Sequence, residues 1–181
     1  DLALFLTLAW TCRRPSEVLG LKWGDLYPSL GGKHLYRYYS RSQQKHLWAN
    51  LDNRVYDAIC AYLAASDRLA TIQPDDYIFV PLYPERTAHL HADAAPDPNQ
   101  PLSTRTAAGI LKKHARKIGL DAECAHLRGL RHAGALLRYE LMKEQGAADY
   151  VELQKLLDHG SLRVTMTYTQ EVLEPSTTPD G

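Results

Sequence analysis

Three separated stretches of the chain carry residues that together could do chemistry on a phosphate ester. TCRRPSEVLGLKW holds Arg13 and Arg14, HLRGLRHAGALL holds Arg128, Arg131 and His132, and LLDHGSLRVTMTYTQ places His159 nine residues before Tyr168. A tyrosine hydroxyl is a poor nucleophile at neutral pH because its ordinary pKa is about 10. It becomes useful only where other groups manage its proton and the charge that builds on its target. Attack on a phosphodiester builds negative charge on the nonbridging oxygens, which guanidiniums meet bidentately, and a further basic group must protonate the leaving oxygen. Arginine, arginine, histidine and tyrosine therefore form a chemically complete set for transesterification at phosphorus without a metal. Each also has a plainer reading. Arg14 could pair with Glu17, His159 suits a helix C-terminus, and Tyr168 is one of eleven tyrosines, any of which can simply pack.

These residues need elements to hold them. Leu2 to Thr11 is apolar with few breaks and reads as a buried helix that ends before Pro15. Ser16 is placed to cap a short second helix, SEVLGLKW. Gly31 and Gly32 mark a turn, after which HLYRYYS and KHLWANL read as two strands of a hairpin. Asp52 is an N-cap for NRVYDAICAYLAA, and YIFV reads as a further short strand. Pro81 to Pro101, rich in Pro, Ala, Asp and His, reads as a long surface loop. Its His89, His91 and Asp93 lack a second ligand cluster and are read as polar loop residues, not a metal site. Ser103 caps TRTAAGILKKHARKIGL, with Ile110, Leu111 and Ile118 as its apolar stripe, and further helices follow over LRHAGALLRYELMKEQ, DYVELQKLLDH and a short segment carrying Tyr168. The class is mainly α with a small antiparallel β-sheet (α+β).

At 181 residues and 45% hydrophobic content, the chain is read as one domain, residues 1–181, with its own core. LALFLTLAW is too short to span a bilayer, and the protein is read as soluble and cytoplasmic with no membrane partner. Three widely spaced cysteines argue against a disulfide framework or a zinc site. The formal charge is zero, which is not the global signature of a nucleic-acid binder. Between Ser103 and Arg138, however, eight Lys or Arg face only Asp121 and Glu123. Such a segment could dock a phosphate backbone or form a solvated helical face.

The three stretches resemble the boxes of the tyrosine recombinase (phage integrase) family. Thr11, Arg14, Ser16, Glu17, Leu19, Leu21 and Trp23 match the first box, with Cys12 where glycine is usual. RGLRH resembles the second, H-x-L-R-H, with Arg131 as the second arginine and Arg128 where histidine is usual. His126 lies two residues out of register and ranks below Arg128 as its equivalent. LLDHGS with Tyr168 resembles the third, with Asp158 where glycine is usual. PLSTRTAAGILKKHARKIGL resembles the helix leading to the second box, so the likeness covers nearly the whole chain.

The resemblance implies the tyrosine recombinase catalytic-domain fold and a DNA strand transferase that breaks and rejoins DNA through a 3′-phosphotyrosyl intermediate. It implies Arg14, Lys45, Arg128, Arg131, His159 and Tyr168 as catalytic residues, with Tyr168 the nucleophile and no metal, cofactor or ATP. Lys45 sits in the hairpin as the candidate general acid, although Ser42 is the residue that some members would align there. Arg128 can stabilise charge but cannot readily accept a proton, since the pKa of arginine exceeds 12. His132 is given a structural role. Double-stranded DNA and a DNA-bound homotetramer are the implied partners. The chain starts inside an apolar helical pattern and is expected to be a fragment that lacks the family's core-binding domain. A type IB topoisomerase-like enzyme, a DNA-binding relative that has lost catalysis and an unrelated helical interaction domain are the alternatives.

Overall fold

The computed structural model describes residues 1–28, 33–82, 96–144, 146 and 149–170. The turn at Gly31 and Gly32, the loop histidines 89 and 91 with Asp93, and the tail from residue 171 lie outside them. The elements, in order, are α1 (Leu2–Thr11), α2 (Pro15–Leu19), a 3₁₀ turn (Trp23–Asp25), β1 (Leu26–Tyr27), β2 (His34–Ser40), β3 (Lys45–Leu51), α3 (Asn53–Ala65), α4 (Thr104–Lys117), α5 (Leu127–Glu144), α6 (Tyr150–Leu157) and α7 (Leu162–Tyr168). The class is mainly helical with one three-stranded antiparallel sheet in the order β1, β2, β3. Among the described residues no helix is long and apolar enough to cross a membrane.

Local chemistry explains most of the boundaries. The β2–β3 register pairs Ser40 with Lys45 and His34 with Leu51, so the strands close directly on the turn at residues 41–44. The Asp52 side chain accepts from the Arg54 N–H, and Ser103 does the same for Thr106, starting α3 and α4 as expected. The second helix is capped two residues earlier than expected. Its N-cap is Arg14 rather than Ser16, because Pro15 has the fixed φ of a first helical residue and the Glu17 carboxylate accepts the Arg14 N–H at 3.0 Å. Ile118 does not join the apolar stripe of α4; it follows the last turn and is 73% exposed.

Two of the readings differ more. Leu26–Tyr27 forms a third strand too short to announce itself in the sequence. YIFV is buried but is not a strand: beyond one bridge from Tyr77 to Lys22, its backbone bonds go to scattered partners. Tyr77 and Ile78 donate to the carbonyls of Pro98 and Leu21, Phe79 accepts from Leu102, and the Arg68 guanidinium donates to the carbonyls of Tyr77 and Ile78. Buried backbone must be paired, but a sheet is only one way to pair it.

Among the described residues, buried apolar side chains form two clusters. The larger joins α1, α2 and α3 to the inner face of the sheet, through Leu4, Leu8, Val18, Tyr36, Val55, Ile59 and Leu63. The smaller is Cys12, Ala135, Tyr139, Leu153 and Leu157, and Tyr168 packs against it. Helix α1 crosses α5 at Gly134, where an added Cβ would collide with the backbone carbonyl of Ala9. That close approach fixes the end of α1, and hence the Cys12–Arg14 turn, against the helix that carries Arg131.

Candidate active site

The turn after α1 sorts its two arginines into different jobs. Arg13 is 3% exposed; its Nε donates to Tyr36 Oη at 3.0 Å, one Nη donates to the Lys155 carbonyl at 3.4 Å, and its guanidinium lies 3.5 Å from the centroid of the Tyr38 ring. It ties α1 to the sheet and to α6. Arg14 is half-buried and points the other way, held by Glu17 Oε1 at 2.8 Å.

Arg131 is buried on the first turns of α5, and one of its Nη atoms donates to the Leu157 carbonyl at 2.7 Å. Burial, together with the neighbouring Arg14 charge, lowers its pKa against the pull of Glu17 and Tyr168. A guanidinium starts so high that it stays charged at neutral pH. Arg128, one turn earlier, is exposed.

His159 follows the C-cap of α6. Its backbone N–H donates to the Gln154 carbonyl at 3.1 Å, and its Nδ1 lies 3.1 Å from Thr165 Oγ1. Burial, then the charges of Arg131 and Arg14, push its pKa down to about 4, with Asp158 opposing. The ring is therefore neutral at pH 7. In the tautomer whose Nδ1 accepts from Thr165, Nε2–H is a free donor for an anion.

Tyr168, the last residue of α7, packs edge-on against His159 at 5.5 Å and stacks on His132 at 5.3 Å between ring centroids. Its hydroxyl lies 2.6 Å from His132 Nδ1. Burial pushes the phenol up to about 12, although Arg131 and Arg128 pull it down.

Arg14, Arg128, Arg131, His159 and Tyr168 line one cleft of about 420 Å³, joined by Pro15 and His132. Lys45 does not line it; it is exposed at the first position of β3. Two contributors were not legible as such. His132, given only a structural role on sequence grounds, holds the Tyr168 hydroxyl. Asp158, which caps α6 at a left-handed φ of 51°, binds the hairpin to the site. Its Oδ1 accepts from the hydroxyls of Ser40 at 2.6 Å and Ser42 at 2.7 Å, and its Oδ2 accepts from the Arg41 N–H at 3.0 Å and faces Arg14 at 3.5 Å. Burial raises the carboxyl pKa, but the two serine hydroxyls, the Arg41 N–H and the Arg13 charge outweigh it and hold the pKa below the usual range.

Asp158→Asn should therefore destabilise the domain by about 2 kcal/mol in urea melts at pH 7, because the amide would point a donor at two existing donors. The folded-state pKa is depressed, so this stabilisation is full above about pH 4, the ordinary carboxylate value, and is lost as pH falls through the lower folded value. The gap between parent and variant should close on acidification.

The sequence matches the phage integrase family over residues 1–174, nearly all of the chain. The chain belongs to the phage integrase family. Its fold is that of tyrosine recombinase catalytic domains. It resembles XerH site-specific recombinase bound to palindromic difH substrate in a post-cleavage complex, with a TM-score of 0.66 and 19% identity, over 94% of this chain and 42% of that one. XerA recombinase gives 0.63 and 22%, over 93% of this chain and 52% of that one. The Tn1549 transposon integrase in complex with transposon right end DNA gives 0.59 and 15%, over 93% and 53%. The chain thus spans about half the length of these phage integrase relatives. No curated protein matches it significantly.

Proposed function

We propose that this chain is the catalytic domain of a site-specific DNA recombinase that breaks and rejoins duplex DNA through a 3′-phosphotyrosyl link. The observation that carries this reading is the convergence of Tyr168 with Arg14, Arg128, Arg131 and His159 on one cleft. Tyr168 attacks the scissile phosphate, the arginines bind its nonbridging oxygens, and His159 donates from Nε2. The covalent link conserves the energy of the phosphodiester, so rejoining needs no ATP. Lys45 protonates the departing 5′ oxygen, delivered by the hairpin whose turn Asp158 anchors beside His159. Duplex DNA as the partner is supported by the DNA-bound relatives and by exposed Arg105, Lys113, Arg116 and Lys117 on α4. Strand exchange needs two duplexes and hence several copies of the protein, in line with a homotetramer on DNA.

The test is covalent trapping. The protein is incubated with a pool of duplexes of randomised sequence, each nicked so that a short cleaved strand diffuses away and cannot be rejoined. A slow-migrating adduct on a denaturing gel, with the DNA mapped to Tyr168 by peptide mass, is the expected result. Duplex binding without any adduct would instead mark a binding protein that has lost its chemistry.

A further inference from the structure

The nucleophile's proton needs somewhere to go, and the residues already assigned cannot take it. Arg128 and Arg131 are cationic, acceptor-less guanidiniums. His159 meets Tyr168 edge-on, and its Nδ1 is already within hydrogen-bond distance of Thr165. Cys12, buried beside the site, donates its thiol to the Ala9 carbonyl at 3.4 Å. One group is left with a nitrogen on the reacting oxygen itself: His132, one helical turn beyond Arg128 on α5, with Nδ1 at 2.6 Å from Tyr168 Oη and its ring stacked on the phenol.

We propose that His132 is the general base of the cleavage step and takes the Tyr168 proton as the phenolic oxygen attacks phosphorus. The proposal rests on the recombinase reading above. The step balances: the Oη–H bond breaks and its proton moves to His132 Nδ1, an Oη lone pair forms the bond to phosphorus, and the P–O5′ bond breaks. The 5′ oxygen keeps that electron pair and takes a proton from the general acid. In the rejoining step the direction reverses, and the imidazolium of His132 returns its proton to the departing Tyr168 oxygen.

Two features suit the ring to this role. Burial, then the charges of Arg128 and Arg131 with a contribution from His126, lowers its pKa and favours the neutral ring, and in the tautomer protonated at Nε2 its Nδ1 accepts from the Tyr168 hydroxyl. Arg128 and Arg131 of α5, His126 just before it and Tyr168 of α7 act on the ring directly, and Arg14 and His159 share its cleft. The placement also explains how a chain with arginine at position 128 can keep a base: the acceptor lies four residues further along the same helix.

The test uses a duplex recovered from the trapping experiment, prepared with either a 5′ oxygen or a 5′ bridging sulfur at the scissile phosphate. Sulfur departs without needing a proton, so it relieves loss of a general acid but not loss of a general base. His132→Gln and His132→Ala should cleave both duplexes roughly 10²- to 10⁴-fold more slowly than the parent, with duplex affinity little changed and only a small drop in melting temperature from the lost contact with Tyr168. Added imidazole should restore part of the rate to His132→Ala. Rates within about twofold of the parent, full recovery on the sulfur duplex, or a deficit that imidazole leaves untouched would each overturn the assignment. A parent protein that forms no adduct fails at the earlier step and takes the recombinase reading down with it, whereas a reactive parent with indifferent His132 variants sinks only this proposal.

Discussion

Tyr168→Phe should abolish the covalent DNA adduct while leaving a folded protein that still binds duplex. The ring packs against the cluster of Cys12, Ala135, Tyr139, Leu153 and Leu157 and stacks on His132, and phenylalanine keeps all of that apolar contact. What is lost is the hydroxyl and its 2.6 Å bond to His132, which costs about 1 kcal/mol of stability. The effect on cleavage should be far larger, on the order of 10⁴-fold or more, because removing the nucleophile of a concerted unit removes nearly all of its rate. Circular dichroism and duplex binding provide the control, and denaturing gels provide the readout. An adduct that survives the substitution would mean that a different residue attacks.

Gly134→Ala should have the largest effect on stability, although it adds a single methyl. At the crossing of α1 and α5 that methyl would overlap the carbonyl of Ala9. The obstacle is backbone rather than the end of a flexible side chain, so relief requires moving α1 itself. Overpacking ordinarily costs about 1–3 kcal/mol, and a rigid obstacle puts this case at about 3 or above. For a domain of this size that lowers the melting temperature by roughly 6–12 °C. Any residual folded variant should also cleave more slowly, because a displaced α1 carries the Arg14 turn away from Arg131. Thermal melts read the first effect and trapping assays on the folded fraction read the second.

Much of the fold could be read locally because its signals are local. Ser103 and Asp52 cap the helices they were assigned. The hairpin strands run over the same residues that their aromatic and apolar pattern suggested, His34–Ser40 and Lys45–Leu51. YIFV misled because its apolar run does report burial, but its hydrogen bonds are supplied by Leu21, Arg68, Pro98 and Leu102, segments that a strand pattern does not contain. In the site, the His159-to-Tyr168 spacing and the two arginine turns could be picked out as strings. The roles of His132 and Asp158 could not, since they rest on contacts 36 and 116–118 residues away in sequence. Arg13 shows the same limit: in the string it is only a neighbour of Arg14, and the packing of Tyr36 and Tyr38 around it is what marks it as a strut.

The phenol held at about 12 has a consequence for the resting domain. A phenol raised that far stays protonated at neutral pH. On the proposed mechanism, stray electrophiles would meet a neutral, half-covered hydroxyl clasped by an imidazole, whereas a DNA phosphate seated among the guanidiniums would meet an oxygen whose proton has a destination. Reactivity is thus conditional on occupancy. On the recombinase reading, that arrangement would suit a protein that passes over many phosphates before breaking one.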